Sequence, residues 1–525
     1  MSLDQKDNLF LLVKSLTKSE KRQFKLYVGR LGVNSDSKFL YLFGKLDKAK
    51  TYDEQSILKS KLISKQQLAN VKAHLYKQIL ISLRLSPSHQ DMRLQIREQL
   101  DFATILYHKG LYTQGLKVLG KAKEIAFSNE EKNLAFEIVE MEKIIESQYI
   151  TRSITSRVDE LTQQAEKLSD DNKLVSKLSN LSLQLYGIFL KTGYVKNEEE
   201  SQWITQYFNE RFPAIDYRQL GLRERIWLYK VKLWYGFLLQ DFLSCYRYAY
   251  KWVDLFYTTP KLINLHPVFY LKGNNYLLET LLLIRRKSQF DTILDRLKMT
   301  MAESQYNWDD NVKALSFLYL NLNSINRHFI DGTFNEGMLL IPEIESKFSE
   351  FSNRIDEHHF MTFYYKFASL NFGAGNNKAC ITYLDKIISN KSLKLREDLL
   401  CFARVLNLVA HYEAGDDYHI ESLLKSTYKF LIKMNELHAV QREMIKFIKG
   451  LQDIYPQDLK KAFTSLHATL KTFENHPYER RAFLYLDIIS WLESKIYNTS
   501  IQEVIKAKYL ESSDYLKTHQ SKKKS

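Results

Sequence analysis

Apolar residues recur three and four positions apart along almost the whole chain, the spacing of helices with one buried face. From Asn8 to Leu16 that face is Leu9, Leu12 and Val13, and from Lys18 to Leu31 it is Phe24, Tyr27, Val28 and Leu31. Further helices are predicted over 38–46, 53–60 and 64–85, the last with Leu68, Val71, Leu75, Ile79 and Leu83 as its stripe. Thr17 and Glu20 have the spacing of a capping box, in which the hydroxyl accepts from the Glu20 N–H and the carboxylate reaches back. Ser86-Pro87-Ser88 reads as a boundary.

Beyond it the helices are predicted in pairs: 91–109 with 112–127, 132–150 with 155–169, 173–192 with 199–211, 220–239 with 241–257, and 264–286 with 289–302. The series continues with 309–329 and 333–350, 356–373 and 377–390, 394–414 and 417–433, 436–453 and 457–473, and 478–496 and 500–516. A small or polar residue followed by an aromatic or polar one opens many second helices, at Gly110-Leu111-Tyr112, Gly193-Tyr194, Gln240-Asp241-Phe242, Ser288-Gln289-Phe290, Gly332-Thr333-Phe334, Gly375-Asn376-Asn377 and Gly415-Asp416-Asp417-Tyr418. From Tyr194 onward the steps are 48, 48, 44, 43 and 41 residues, and from Tyr112 to Tyr194 there are 82, two units. Periods of this size are expected of stacked helical units. No alternating apolar segment with a hairpin turn is seen, so no sheet is expected. The predicted parts are a helical head (1–86), a body (87–516) and a tail (517–525).

Composition agrees with helix. Glycine is 17 and proline 7 of 525 residues, well below average usage of about 7% and 5%, and both interrupt helices. Pro342 lies inside an apolar run, where it must kink a helix or open one. Cys245, Cys380 and Cys401 are scattered within helical patterns, which is no disulfide framework and suits thiols acting as small core residues. The N-terminus carries acidic residues and no long apolar run, unlike a secretory signal. No stretch has the length and apolarity of a membrane span, and a cytoplasmic protein is expected. The net charge of +15 is unevenly spread: residues 1–100 hold 19 Lys/Arg against 9 Asp/Glu, and Lys517 to Ser525 add four positive charges. A basic head and tail on a nearly neutral body point to an acidic partner, or to solubility alone.

The run Phe102-Ala103-Thr104-Ile105-Leu106, then Gly110, Tyr112, Gly115, Leu119 and Ala122, resembles a tetratricopeptide repeat. Ala103, Gly115 and Ala122 stand where that family places small residues at helix crossings. Ala368, Gly375, Cys380 and Leu384, and Gly332, Phe334 and Gly337, repeat much of the pattern. Two features depart from it: the period exceeds the family's ~34 residues and is nearer the ~40–47 of other helical repeats, and the closing proline is missing. The resemblance implies an all-α, right-handed superhelical solenoid of antiparallel helix pairs, with a small helical region at the N-terminus. It further implies a protein–protein interaction role.

Catalytic signatures are absent: there is no phosphate-binding glycine loop, no nucleophile elbow and no His-Glu-x-x-His. His358-His359 is the one adjacent histidine pair, and without a third ligand it reads as a polar cap beside Asp356 and Glu357. Dense aromatics such as Phe363 to Phe367, Trp227 and Trp234 read as core filling first and as a peptide groove second. One tetratricopeptide mode clamps a partner's C-terminal carboxylate with Lys and Asn at fixed positions. Those positions hold Leu100/Thr104, Lys230/Trp234, Leu278/Leu282, Leu322/Asn326 and Tyr365/Ser369, never the required pair. Lys18, Lys21, Arg22 and Lys25, opposite Phe24 and Tyr27, are the candidate partner-binding face. The helices over 53–60 and 64–85, with Lys65, Lys72 and Lys77 on the second, have the outline of a DNA-binding pair. Their turn lacks Gly, and arginine, the preferred base reader, appears only at Arg84. The expected function is a non-enzymatic scaffold or adaptor for a protein partner, without cofactor or metal. A nucleic-acid-associated regulator using the basic head is the alternative, and an enzyme with an unrecognised site is third.

Overall fold

In the computed structural model, the described residues are 7–30, 38–86, 91–148, 154–306, 308–390, 397–434, 438–451, 454–485 and 487–521. Every regular element among them is a helix, and no strand occurs. The chain divides into two compact units, Met1–Asn172 and Lys173–Ser525. The Pro87–Ser88 boundary signal lies outside the described residues, as do the side chains of the basic tail from Lys517 on.

The first unit holds α1 (Asn8–Ser15), α2 (Lys18–Arg30), α3 (Lys38–Lys48), α4 (Glu54–Leu58), α5 (Lys65–Arg84), α6 (Met92–His108), α7 (Tyr112–Ser128) and α8 (Lys132–Gln148). Helix α9 (Ile154–Thr192) begins in it. Capping is local and sequence-coded. The Asp7 carboxylate accepts from the Phe10 N–H at 2.9 Å. Thr17 and Glu20 exchange bonds of 3.2 and 2.5 Å, and Ser64 with Gln67 forms a second capping box. Leu9, Val13, Phe24, Leu42, Phe43, Leu75 and Ile79 close one apolar cluster, in which the Phe24 and Phe43 rings lie 4.8 Å apart. A separate cluster runs from Ile96 to Leu168. There Ala103 and Ala122 are fully buried, and a Cβ on Gly115 would stand 3.7 Å from the Ala103 carbonyl and 3.9 Å from Leu106. The small residues thus sit at a helix crossing, where a partner's bulk needs room.

Beside this cluster lies a buried ion network. Glu142 is 2% exposed. It receives Lys123 Nζ at 2.5 Å from α7 and an Arg157 terminal nitrogen at 3.2 Å from α9. Arg157 also reaches Glu146 and Glu160.

The second unit continues with α10 (Glu198–Arg211), α11 (Leu222–Leu238), α12 (Phe242–Thr258), α13 (Lys261–Leu265), α14 (Pro267–Leu283), α15 (Lys287–Ala302) and α16 (Asp310–Asp331). Next are α17 (Phe334–Met338), α18 (Ile341–Ser346), α19 (Phe348–Phe351), α20 (Glu357–Gly373), α21 (Asn377–Ile388), α22 (Glu397–Glu413) and α23 (Asp417–Lys433). The last are α24 (Ala439–Gly450), α25 (Leu459–Lys471), α26 (Ala482–Tyr485), α27 (Ile488–Tyr497) and α28 (Ile501–Ser521). Successive helices pack on one another: α11 on α12, α12 on α14, α14 on α15 and α16, α20 on α21, and α21 on α22. One cluster buries Trp252, Phe256, Tyr270 and Phe290 completely or nearly so, and a separate one buries Phe363 and Phe367.

The turns mark the register. Gly193, Gln240, Arg285, Gly332, Gly375 and Gly415 all take positive φ. At four of them the next N–H closes a bond to the carbonyl five residues back: Asp241 to Gly236 (2.8 Å), Arg286 to Leu281 (2.9 Å), Asn376 to Asn371 (2.8 Å) and Asp416 to His411 (3.1 Å). These are helix-ending turns that satisfy the last carbonyls. Gln240 (φ 58°) and Arg285 (φ 54°) hold this left-handed conformation with a full side chain, at a cost of roughly 1–2 kcal/mol each.

Four expectations need correction. Helices predicted separately over 155–169 and 173–192 are one 39-residue helix, α9. Asp170, Asp171 and Asn172 only weaken a helix, and no Gly or Pro stops it there. The single helix expected over 333–350 is three short ones, with Pro342 in the first turn of α18. Pro267 opens α14 and so separates it from α13, within what was read as one helix over 264–286. The helix expected over 478–496 is a 3-10 turn (Glu479–Arg481) followed by α26 and α27.

The C-terminal segment of this unit returns to the ends of earlier helices. The Tyr478 hydroxyl donates to Glu198 at 2.5 Å. Arg480 bonds Gln240, and Asp487 lies 3.6 Å from Arg285. The Gln502 side chain accepts from the Asn335 N–H at 3.3 Å. Trp491 Nε1 donates to Glu413 at 2.8 Å, and Lys495 pairs with the same carboxylate.

Candidate functional site

The basic face read from the sequence is built as expected on α2. Phe24 and Val28 anchor the helix in the N-terminal core, each 1% exposed. Tyr27 adds a 3.0 Å bond to Gln78 of α5. The opposite side presents Lys18, Arg22 and Lys25 to solvent. Together with Lys21, Leu26 and Asp47 they line an open depression. Lys21 differs from the other three: it is tied to Asp47 of α3 at 2.8 Å. Among the described residues, Lys18, Arg22 and Lys25 have no carboxylate partner. Leu26, 59% exposed, sits between them.

The other sequence candidates fare differently. The supposed DNA-reading helix is α5, and two of its basic residues are already paired with carboxylates. Lys72 pairs with Asp7 and lies 3.0 Å from the Tyr52 hydroxyl, while Arg84 pairs with Asp101 at 2.7 Å. His359 belongs to the cap of α20: its N–H donates to Asp356 at 3.0 Å and its Nδ1 lies 2.7 Å from the other carboxylate oxygen. The His359 side chain holds the Asp356 carboxyl down at about 2. Among the described residues, no group of three His, Cys, Asp or Glu side chains could hold a metal ion. Phe363, Phe367 and Trp234 are core, at 0%, 0% and 6% exposure. None of the described helices is long and apolar enough to cross a membrane.

The clamp register needs one shift. The left-handed residue ending α14 is Arg285, three before Ser288, which lies inside α15. The positions matching Lys230/Trp234 are therefore Asn275 and Glu279, not Leu278 and Leu282, and Leu278 is fully buried. Asn275 accepts from Asn323 of α16 at 2.9 Å. The Lys-then-Asn pair of a carboxylate clamp is still absent.

That register shows a feature the sequence reading passed over: half-buried lysines on α11, α14 and α20. Burial pushes Lys230 down to about 8, and Lys272 beside it adds to the shift. Lys272 itself is lowered by burial. Lys366 is brought to about 8 by burial, opposed by Glu279, and its ammonium stands 5.3 Å from the Phe329 ring. In sequence these lysines look like ordinary solvated positions, and only the packing of neighbouring helices shows otherwise. No family model, curated protein or solved structure matches the chain.

Proposed function

We propose that the chain is a non-enzymatic scaffold whose helix pairs stack as a right-handed, tetratricopeptide-like solenoid, and that it docks an acidic protein partner on α2. The observation that carries this reading is the contrast within one helix. Lys21 is neutralised by Asp47, whereas Lys18, Arg22 and Lys25 surround exposed Leu26 with no carboxylate partner among the described residues. Apolar surface framed by like charges suits a complementary acidic patch, which it would steer and orient. The recurring left-handed turns, spaced 40 to 47 residues apart from Gly193 to Gly415, support the stacked arrangement. The partly buried pairing of Lys72 with Asp7 and the surface pairing of Arg84 with Asp101 weigh against nucleic acid.

The test compares the parent with a Lys18→Glu, Arg22→Glu, Lys25→Glu variant in affinity capture from the native cell, at low and high salt. Lys21 is left intact because its reversal would set a second carboxylate against Asp47. A partner recovered by the parent, lost with the variant and weakened by salt is expected. Identical recoveries from both proteins at both salts would refute docking on α2.

A further inference from the structure

Helices α11 and α14 face each other through two aromatic pairs. Trp227 meets Phe269 with ring centroids 6.2 Å apart, and Trp234 meets Tyr276 at 5.6 Å. Both pairs are separated by 42 residues, and so are Lys230 and Lys272, which fall between them. The two lysine stems therefore leave their helices at one level. Lys230 Nζ stands 4.7 Å from the centre of the Trp227 ring. Neither lysine forms an ion pair among the described residues.

Such a pair is costly to keep. Each ammonium is partly desolvated, and each repels the other. Methionine would fill the same space without either penalty. A bound carboxylate would neutralise only one of the two charges. A phosphate group carries about −1.5 to −2 and offers several acceptor oxygens, enough to match both ammonium groups.

We propose that Lys230 and Lys272 form a binding site for a phosphate group, with the half-buried rings of Trp227 and Phe269 receiving the rest of the ligand. The site belongs to the second unit and is independent of docking on α2. The phosphate can belong to a free small molecule or to a phosphorylated protein segment.

The experiment footprints lysines on the full chain by brief acetylation with mass-spectrometric readout. Three probes are used at equal ionic strength: inorganic pyrophosphate, a phosphoserine tripeptide and acetate. At about ten times the dissociation constant, a bound probe should slow acetylation of Lys230 and Lys272 about tenfold. The rate at exposed Lys298 of α15 should not change. Protection by pyrophosphate alone identifies a small-molecule ligand, and protection by the phosphopeptide identifies a modified protein segment. Protection by neither, equal protection by acetate, or equal slowing at Lys298 would overturn the site. Lys230→Met and Lys272→Met should each weaken pyrophosphate binding at least tenfold. The footprint on the parent decides the question even if a variant folds poorly.

Discussion

Arg480 grips Gln240 twice, through a 2.6 Å bond to its backbone carbonyl and a 3.3 Å bond to its side-chain oxygen. The Gln240 side chain also donates to the Val195 carbonyl at 3.3 Å, and the residue is 1% exposed. A strained left-handed glutamine is thus kept because its side chain joins three segments. Arg480→Ala should cost about 1–3 kcal/mol, since it leaves buried acceptors unsatisfied. Amide exchange around 193–198 and 238–245 should quicken. Unchanged denaturant midpoint and exchange would mean that the contact contributes nothing.

Two glycines at the end of α20 serve different purposes. A Cβ on Gly373 would penetrate the Phe334 ring, while Gly375 faces open space at φ +82°. Gly373→Ala should cost about 1–3 kcal/mol through overpacking, and Gly375→Ala about 1–2 kcal/mol through backbone strain. Asparagine tolerates the left-handed region better, so Gly375→Asn should recover part of the loss and Gly373→Asn none. Thermal melts of the four variants check the ordering.

In the first unit, Glu142→Ala should be severe. It would leave Lys123, 14% exposed at its side chain, without a counter-charge among the described residues and Arg157 with only Glu146 and Glu160, and breaking a buried ion pair costs about 3–5 kcal/mol. Replacing Lys123, Glu142 and Arg157 together by apolar residues of similar volume should be far milder. Urea denaturation of the single and triple variants makes the comparison.

Stability should rise with pH on the alkaline side. Lys230 and Lys366 lose their protons near 8 in the fold but near 10.4 when unfolded. Between those values the unfolded chain binds more protons, so raising pH favours the fold. Above about 10 the trend reverses, because burial pushes the Tyr383 hydroxyl up to about 12 and the fold then holds the extra proton. Lys230→Met with Lys366→Met should raise stability at pH 7 and flatten the rise between 8 and 10. Melting curves over pH 7 to 11 test this, and an unchanged slope in the double variant would refute it.

At acid pH the Asp356 cap should fail. Its carboxyl is held at about 2 by His359, below the usual 3.8, so its contribution is full above the unfolded value and fades as pH falls toward 2. Asp356→Ala should cost about 1 kcal/mol at pH 7 and remove that part of the acid transition.

Much of the helical pattern was legible because periodicity and capping act locally. Thr17 with Glu20 follows from a short-range rule, whereas the buried Ala103 and Ala122 were marked by the resemblance to a helical repeat. The errors came where local signals are weak or silent. Asp170 to Asn172 looked like a break, yet nothing there prevents helix. Arg285 adopts the conformation of a glycine, so the turn was placed three residues late and Asn275 was missed. The Lys230–Lys272 pair could not be read at all, because residues 42 apart in sequence become neighbours only through the α11–α14 register. On α2 the buried anchor and the exposed charges lie on one helix, so their opposition is visible in the sequence.

The returning C-terminal segment also bears on the order in which the molecule can be completed. Tyr478 and Glu198 are separated by 280 residues, Arg480 and Gln240 by 240, and Asn335 and Gln502 by 167. Synthesis runs from the N-terminus, so Glu198, Gln240 and Asn335 must wait for residues 478–502 to emerge. Until then these groups lack the partners they end with, and the Glu413 carboxylate lacks its indole donor from Trp491. Contacts this distant in sequence form slowly, and chains halted before them expose surface prone to association. A premature stop ahead of Tyr478 would therefore leave unfinished the edge of helices made much earlier.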